Sequence, residues 1–382
     1  MVSIYLDYNA TTPVAPEVVA AMLPFLQEHF GNPSSAHVYG DAPRRAMAAA
    51  REEVARLIGA RTAEIVFTGS ATEANNLTIL GVARAWGDAR RHAVISAVEH
   101  PSVSEPAHRL QALGGSVTIV PVDEYGRVAP GDVAAALRPD TGLVSVMHAN
   151  NEVGTIQRIA EIAALAHSRG ALMHTDAAQS AGKVALDVEV LGVDLLTLAG
   201  HKFYAPKGVG ALYIRTGTPI AAVLAGAGQE QGLRPGTENI PQIVALGVAA
   251  RLARERLPET HAHLRALRDR LHARLAQEVP GLALNGHPEQ RLPNTLNVSF
   301  PGVSGAALLQ QVADRVAAST GSACHAGDAA PSGVLGAMSL SNERALGAVR
   351  LSVGHYTREA EIDAAAAALI AAWRERTIAE HG

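Results

Sequence analysis

From residue 64 onward the chain alternates short apolar runs with helical stretches, and this alternation restricts the fold more than any other feature. Strands are expected at 64–68, 92–98, 116–120, 143–148, 171–174, 195–198 and 209–214, with helical patterns at about 73–86 and 159–169. Strands separated by helices imply a mostly parallel sheet covered on both faces. In such sheets ligands bind beyond the carboxyl ends of the strands. Thr72, His100, Asn151, Asp176 and the pair His201-Lys202 each follow one of these runs. They are therefore expected together on one edge of the sheet.

Outside the alternation the pattern changes. Residues 4–9 read as a short strand, 31–40 (GNPSSAHVYG) as a loop and 42–58 as an Ala-rich helix. A long helical stretch is expected at about 241–278, then strands at 295–300, 315–318 and 348–353, and a closing amphipathic helix at about 358–376. The change predicts a large α/β domain over 14–255 and a smaller α+β domain over 256–382, with residues 1–13 as an arm packing near the site. The stretch 325–341, rich in Ala, Gly and Ser, reads as a mobile loop.

Composition excludes several function classes. At 48% hydrophobic and 18% charged, the 382 residues can bury a large core. Aromatics are only 4%, so Ala, Leu and Val must pack it. A net charge of −4 gives no basic field for nucleic acid or membrane surfaces. No apolar run reaches the length of a membrane span, and the first residues lack the pattern of a secretory signal. A cytoplasmic location is the expectation. Cys324 is the one cysteine, which rules out an intramolecular disulfide. The 16 histidines form no HExxH, and there is no paired CxxC, so no metal site is expected.

The stretch DLLTLAGHKFYAPKGVGALYI, 194–214, sets a polar turn between two apolar runs. A lysine shielded there by Leu, Ala, Phe and Tyr is partly desolvated, which favours a nucleophilic amine at Lys202. The plain alternative is a surface loop with two solvated lysines. Gly69-Ser70-Ala71-Thr72 lies between a strand and a helix, where an anion is favoured, or where Ser70 or Thr72 merely caps the helix. Asp176 in HTDAAQ ends an apolar strand. It can pair with a protonated ring nitrogen, as in pyridoxal 5′-phosphate (PLP) sites, or cap a helix. His100 can stack and move protons, or cap or pack. Asn150-Asn151-Glu152 can be a turn. Cys324 in GSACHAG has small neighbours that favour exposure, and exposed thiols are avoided unless used. Arg350, in the strand-like GAVRLSVG, needs an anion such as a substrate carboxylate if it faces inward, or makes a surface salt bridge.

Taken together and in order, YLDYNATTP, GNPSSAH, FTGSATEANN, EHPSV, NNEVGTIQ, HTDAAQSAGK, GHKFYAPKGVGALYIR, RPGTENI and GSAC…VRLSVG resemble the cysteine desulfurases of the NifS/IscS group. These are PLP enzymes of fold type I, within the class V aminotransferases. The resemblance runs from about residue 5 to 362. It implies a large domain with a mostly parallel seven-stranded sheet between helices, plus a smaller α+β domain. It also implies roles. Lys202 would link to the cofactor aldehyde, Asp176 would pair with the pyridine nitrogen and Gln179 with the ring hydroxyl. His100 would stack on the ring and shuttle protons. Ala71, Thr72 and His201 would hold the phosphate, with Thr237 reaching it from the other subunit of a homodimer. Asn151 and Arg350 would orient L-cysteine. Cys324 would accept its sulfur as a persulfide, leaving L-alanine, and Lys202 or His100 would remove the Cα proton. Acceptors in this group are proteins such as iron–sulfur scaffolds or tRNA-thiolation enzymes.

Three positions depart from the pattern. Ala199 stands where Ser or Thr often contacts phosphate, Pro235 where Ser is frequent, and His325-Ala326 where Thr-Ser or Thr-Ala is common. The same three features resemble selenocysteine lyases, so L-selenocysteine is the alternative substrate. A class V aminotransferase that uses no thiol, and a catalytically inactive binding module, are the remaining alternatives.

Overall fold

The computed structural model describes residues 3–320 and 332–381. Cys324 and His325 lie outside the described residues, as do residues 326–331 of the Ala/Gly/Ser-rich stretch, whose later part holds the short helix Gly333–Ala337. Twelve strands are placed: β1 (Ile4–Tyr5), β2 (Ile65–Thr68), β3 (His92–Ser96), β4 (Ser116–Val120), β5 (Thr141–Ser145), β6 (Leu172–Asp176), β7 (Leu195–Ala199), β8 (Gly210–Ile214), β9 (Ala283–Asn285), β10 (Thr295–Ser299), β11 (Val316–Ala317) and β12 (Ala348–Ser352).

Seven of them form one sheet in the order β2-β8-β7-β6-β5-β3-β4. β8 alone runs antiparallel, against β7 on one side and β2 on the other; the other pairs are parallel. The carboxyl ends of β2, β3, β5, β6 and β7 therefore share one edge. The sheet is buried on both faces, and side chains alternate between two cores as strand geometry requires. Val94, Val144, Leu196 and Tyr213 pack with the helices Val38–Leu57, Ile159–Ser168 and Ile240–Glu255. Their neighbours Ala93, Leu143, Leu195 and Leu212 pack with Ala71–Trp86 and Pro101–Ala112.

A second core surrounds the antiparallel sheet β12-β10-β9 and the helices Leu257–Glu278 and Glu359–His381. The single long helix expected at 241–278 is two helices, ending at Glu255 and restarting at Leu257, with Pro258 in the first turn of the second. Proline has no N–H to give and fits the start of a helix, not its interior. The 31–40 loop is likewise shorter than expected, because a helix begins at Val38. The chain's start joins the two cores. β1 pairs with β11, Leu6 is fully buried in the second core, and the following residues turn onto the edge of the large sheet.

Candidate active site

The turn after β7 delivers His201 and Lys202. Gly200 begins it, and a Cβ there would meet Val209 Cγ1 and the Val209 carbonyl at 3.0 Å, so any larger residue would push the turn off β8 by a few tenths of an ångström. Gly210 opens β8 for a related reason. A Cβ there would lie 2.8 Å from the Ser70 carbonyl carbon and 3.0 Å from the Ala71 nitrogen. Its absence lets the Ser70–Ala71 peptide lie directly on the β7–β8 hairpin.

Lys202 Nζ is mostly buried and donates to two backbone carbonyls of the arm, Asn9 at 2.6 Å and Ala10 at 2.8 Å. Burial first, then the Arg350 guanidinium, lowers its pKa from the ordinary lysine value to about 8, against the opposing pull of Asp176 and Asp7. The shielding expected from the sequence is therefore present, with Phe203 buried beside it. Lys207 is exposed.

The arm residues Asp7 to Thr12 form a hub for the candidates. The Asn9 carbonyl also accepts Gln179 Nε2 at 3.0 Å. Asn9 Nδ2 donates to the Asn151 carbonyl at 3.1 Å, which also accepts Arg350 Nη1 at 3.1 Å. Arg350 Nη2 donates to Asp7 Oδ1 at 2.7 Å, and its Nε is buried without a partner among the described residues. Arg350 is 3% exposed, so it faces inward as one sequence alternative required. Thr11 Oγ1 lies 3.2 Å from His201 Nδ1, and the Thr12 hydroxyl donates to the His201 carbonyl. Neither Asp7 nor Asn9 was assigned a role from the sequence.

Asp176 ends β6. Its Oδ1 accepts the Ala178 amide at 2.9 Å and its Oδ2 accepts Asn75 Nδ2 at 2.8 Å. Asn75 also donates to Ser102 Oγ at 2.9 Å, and that hydroxyl lies 2.8 Å from His100 Nδ1. His100 caps its helix, because Nδ1 accepts the Ser102 amide at 3.1 Å. The capping alternative thus holds for His100, and the cap leaves its Nε2 free of that bond. A nitrogen that accepts an amide hydrogen carries no proton, so the neutral ring holds its proton on Nε2. Burial, and secondarily Lys202, keep the His100 pKa below the usual value, while Asp176 opposes them.

Beside it Glu99 is half-buried as a residue, but its carboxyl is withdrawn from water, with Oε2 unpartnered among the described residues. Its Oε1 accepts the Ser96 hydroxyl at 2.5 Å and the Met147 amide at 2.8 Å, and burial pushes its pKa up to about 8. At neutral pH it is a protonated, uncharged acid. His201 is moved the other way, down to about 4, first by burial and then by Lys202, and so is an uncharged imidazole.

Asn150 builds the 150–153 turn, its Oδ1 accepting the amides of Glu152 and Val153. Asn151 rides on that turn with its side-chain amide unpartnered among the described residues. At the Gly69–Thr72 turn, Ser70 caps the helix by accepting the Glu73 amide at 3.1 Å, and Glu73 reaches back to the Gly69 amide at 2.6 Å. The amides of Ala71 and Thr72 have no acceptor within the helix and are free for an anion. Thr237 is exposed, on a segment tied to this turn by Arg234 Nε and Glu73 Oε1 at 2.9 Å. Ala199 is buried at the end of β7 and offers no hydroxyl. The described residues on either side of 321–331 are anchored at the site. Ser319 bonds the backbone of Arg350, and the Ser332 hydroxyl donates to Glu152, next to Asn151.

The set suits a PLP molecule. Its aldehyde calls for an amine (Lys202), its ring nitrogen for a carboxylate with spare lone pairs (Asp176), its ring oxygen for an amide donor (Gln179) and its phosphate for a helix N-terminus (Ala71, Thr72). Asn75, Ser102 and Lys183 belong to the same network and were not singled out from the sequence. The sequence signal for Asn75 and Lys183 was polarity inside an apolar pattern.

Comparison with known proteins identifies the family. The Aminotransferase class-V family matches residues 4–365. Cysteine desulfurase IscS of Dictyoglomus turgidum is 45% identical over 361 residues, 94% of this chain and 92% of that protein. A solved NifS-like protein superposes with a TM-score of 0.90 at 37% identity, covering 98% of this chain and all of the other. A structure described as SspA in complex with cysteine gives a TM-score of 0.83 at 36% identity, over 93% of this chain and 100% of that one.

Proposed function

The chain belongs to the class-V aminotransferase family, and from that premise we propose that it is a PLP-dependent cysteine desulfurase. It takes sulfur from L-cysteine, leaves L-alanine and holds the sulfur as a persulfide on Cys324. The observation that carries this reading is the shared Asn9 carbonyl, which gathers the Lys202 amine and the Gln179 amide beside Asp176, His100 and Arg350.

The cofactor, when bound, supplies an electron sink for negative charge at the substrate Cα. Lys202 would anchor it, Asp176 would pair with its ring nitrogen and Gln179 with its ring oxygen, and Ala71, Thr72 and neutral His201 would hold its phosphate, with Thr237 of the partner subunit reaching it in a homodimer. Arg350 and Asn151 hold the substrate carboxylate. Lys202 takes the Cα proton, because its lowered pKa suits a base near neutral pH. His100 is the acid, since its Nδ1 is committed to the Ser102 amide and its proton sits on Nε2. The Cys324 thiolate attacks the substrate sulfur. An S–S bond forms and the substrate C–S bond breaks with its electron pair left at Cβ; Cβ then gains a proton from His100, and Lys202 returns the Cα proton as alanine leaves. Cys324 is five residues beyond Ser319, and five extended residues reach about 17 Å. The persulfide then passes to an acceptor protein of iron–sulfur assembly or tRNA thiolation.

The test is an alanine and sulfide assay with and without Cys324→Ala. Loss of turnover on cysteine in the variant supports the reading, and full turnover refutes it. The apolar Ala199 at the end of β7 supports L-selenocysteine as a second substrate, and comparing kcat/KM for the two amino acids decides the preference.

A further inference from the structure

Lys183 has no place in the steps above, yet it is one of the most unusual side chains in the molecule. It is 6% exposed, with no carboxylate in ion-pair range among the described residues. Its Nζ donates to two oxygens of one residue, the Gln179 carbonyl at 2.9 Å and Gln179 Oε1 at 3.2 Å. The helical turn after Asp176 puts residues four apart on one face, and that places the lysine over the glutamine. Burying a cation that is held only by neutral oxygens is costly, and a structural role alone could be filled by an apolar side chain.

Burial, then Lys202 and Arg350, lower Lys183 to about 7, so below that pH it is an ammonium, which can only donate. The amide oxygen of Gln179 must therefore face Lys183, and the amide nitrogen must face the other way, toward the Asn9 carbonyl and Lys202. We propose that Lys183 is a positioning residue that locks the Gln179 amide with its nitrogen toward the cofactor's ring oxygen, and strengthens that nitrogen as a donor by polarising the amide. This rests on the reading that Gln179 faces that oxygen. Hydrogen bonds in series reinforce one another at low dielectric. An ammonium on Oε1 thus stabilises negative charge on the ring oxygen without touching it.

The readout is the pH midpoint of the visible absorption band of the cofactor-loaded enzyme, which reports proton affinity next to the ring oxygen. In Lys183→Met the midpoint should move up by about one pH unit, since a positive charge is lost and the Gln179 amide is no longer locked or polarised as a donor to the ring oxygen. Lys183→Gln, which can still donate to Oε1 without charge, should shift it less, and serves if the methionine variant does not fold. Gln179→Leu should also raise the midpoint, and adding Lys183→Met to it should raise it no further. If Gln179→Leu moves the midpoint and the Lys183 variants do not, the lysine proposal fails and the reading of Gln179 stands. Equal, additive shifts would show that Lys183 acts on its own and overturn the proposal. If Gln179→Leu leaves the midpoint unmoved, the underlying reading of Gln179 is the one that fails.

Discussion

Asn75→Leu is the most informative single substitution, because it keeps the side chain's size and removes only its hydrogen bonds. Asn75 is fully buried and its Nδ2 serves Asp176 at 2.8 Å and Ser102 at 2.9 Å. A hydrogen bond to a charged group contributes about 1.5–3 kcal/mol and a neutral one about 0.5–1.5 kcal/mol, so the loss should be about 2–4 kcal/mol. An unfolding entropy near 2.1 cal/mol/K per residue makes that roughly 3–5 °C in Tm for a chain of this length. Ser102→Ala alone should cost about 1 kcal/mol. The double variant should cost less than the sum, since the two changes share one bond. The assay is urea unfolding followed by tryptophan fluorescence. The chain's two tryptophans report separately: Trp86 lies on the Asn75 helix, and Trp373 packs in the second core. In a Trp373→Phe background the Trp86 transition should carry the loss. A change under about 0.5 kcal/mol, or strict additivity with Ser102→Ala, would refute the Asp176–Asn75–Ser102–His100 relay.

Three further outcomes are expected. Cofactor uptake by the empty protein should speed up with pH through a midpoint near 8, because only the neutral Lys202 amine attacks an aldehyde; stopped-flow loading that rises only near the ordinary lysine pKa would contradict the desolvation argument. Glu99 has a raised folded pKa, so its contribution is present at acid pH and is lost as pH climbs from the unfolded value toward about 8. Glu99→Gln should therefore gain on the native protein in melts between pH 5 and 8, by an order of 3 kcal/mol, and a constant gap would be inconsistent with a buried neutral acid. Glu230→Ala strips the bidentate partner from Arg51 (2.6 and 2.7 Å) and the acceptor from the Phe67 amide (2.7 Å). The Glu230 side chain is 2% exposed, so a loss of about 3 kcal/mol or more is expected; calorimetry showing less than about 1 kcal/mol would place this pair among the weak surface bridges.

The sheet was legible because its strands are apolar runs of fixed length, and the carboxyl-edge rule then placed Thr72, His100, Asn151, Asp176 and Lys202 on one edge. What escaped has identifiable causes. The helices Pro16–Gln27, Pro101–Ala112 and Pro130–Ala136 each open with proline. A proline read as the end of a strand is equally the first residue of a helix. β9 is three residues long and has too little pattern to detect. The single reversed strand, β8, follows from a short hairpin after β7, which leaves no room for the crossover that a parallel strand needs. Asn75 sits among Ala74, Leu77 and Ile79 on a buried face, and only its partners, 27 and 101 residues away, show why. Asn9 is harder still. Its work is done by a backbone carbonyl, which every residue has.

The electrostatics of the cluster explain why this edge takes an anionic ligand. Lys202 interacts with Asp7 and Asp176, Arg350 pairs with Asp7 and Lys183 has no carboxylate partner among the described residues, while burial holds Glu99 toward its neutral form and raises Glu152 in the same direction. Positive charge is therefore in excess. It is visible as mutual repulsion: Lys183 is lowered to about 7 by burial and then by Lys202 and Arg350, and Lys202 by burial and then by Arg350. Water cannot relieve this, because the groups are buried, and the arm carbonyls that hold Lys202 are dipoles without net charge. A phosphate or carboxylate relieves it directly and favours the protonated lysine, so anion binding and proton uptake are linked. The repulsion stored in the free protein is thus released as part of the binding energy for an anion. A phosphate and a carboxylate would relieve it alike, so the order of arrival matters: the first anion to bind reduces what remains for the second.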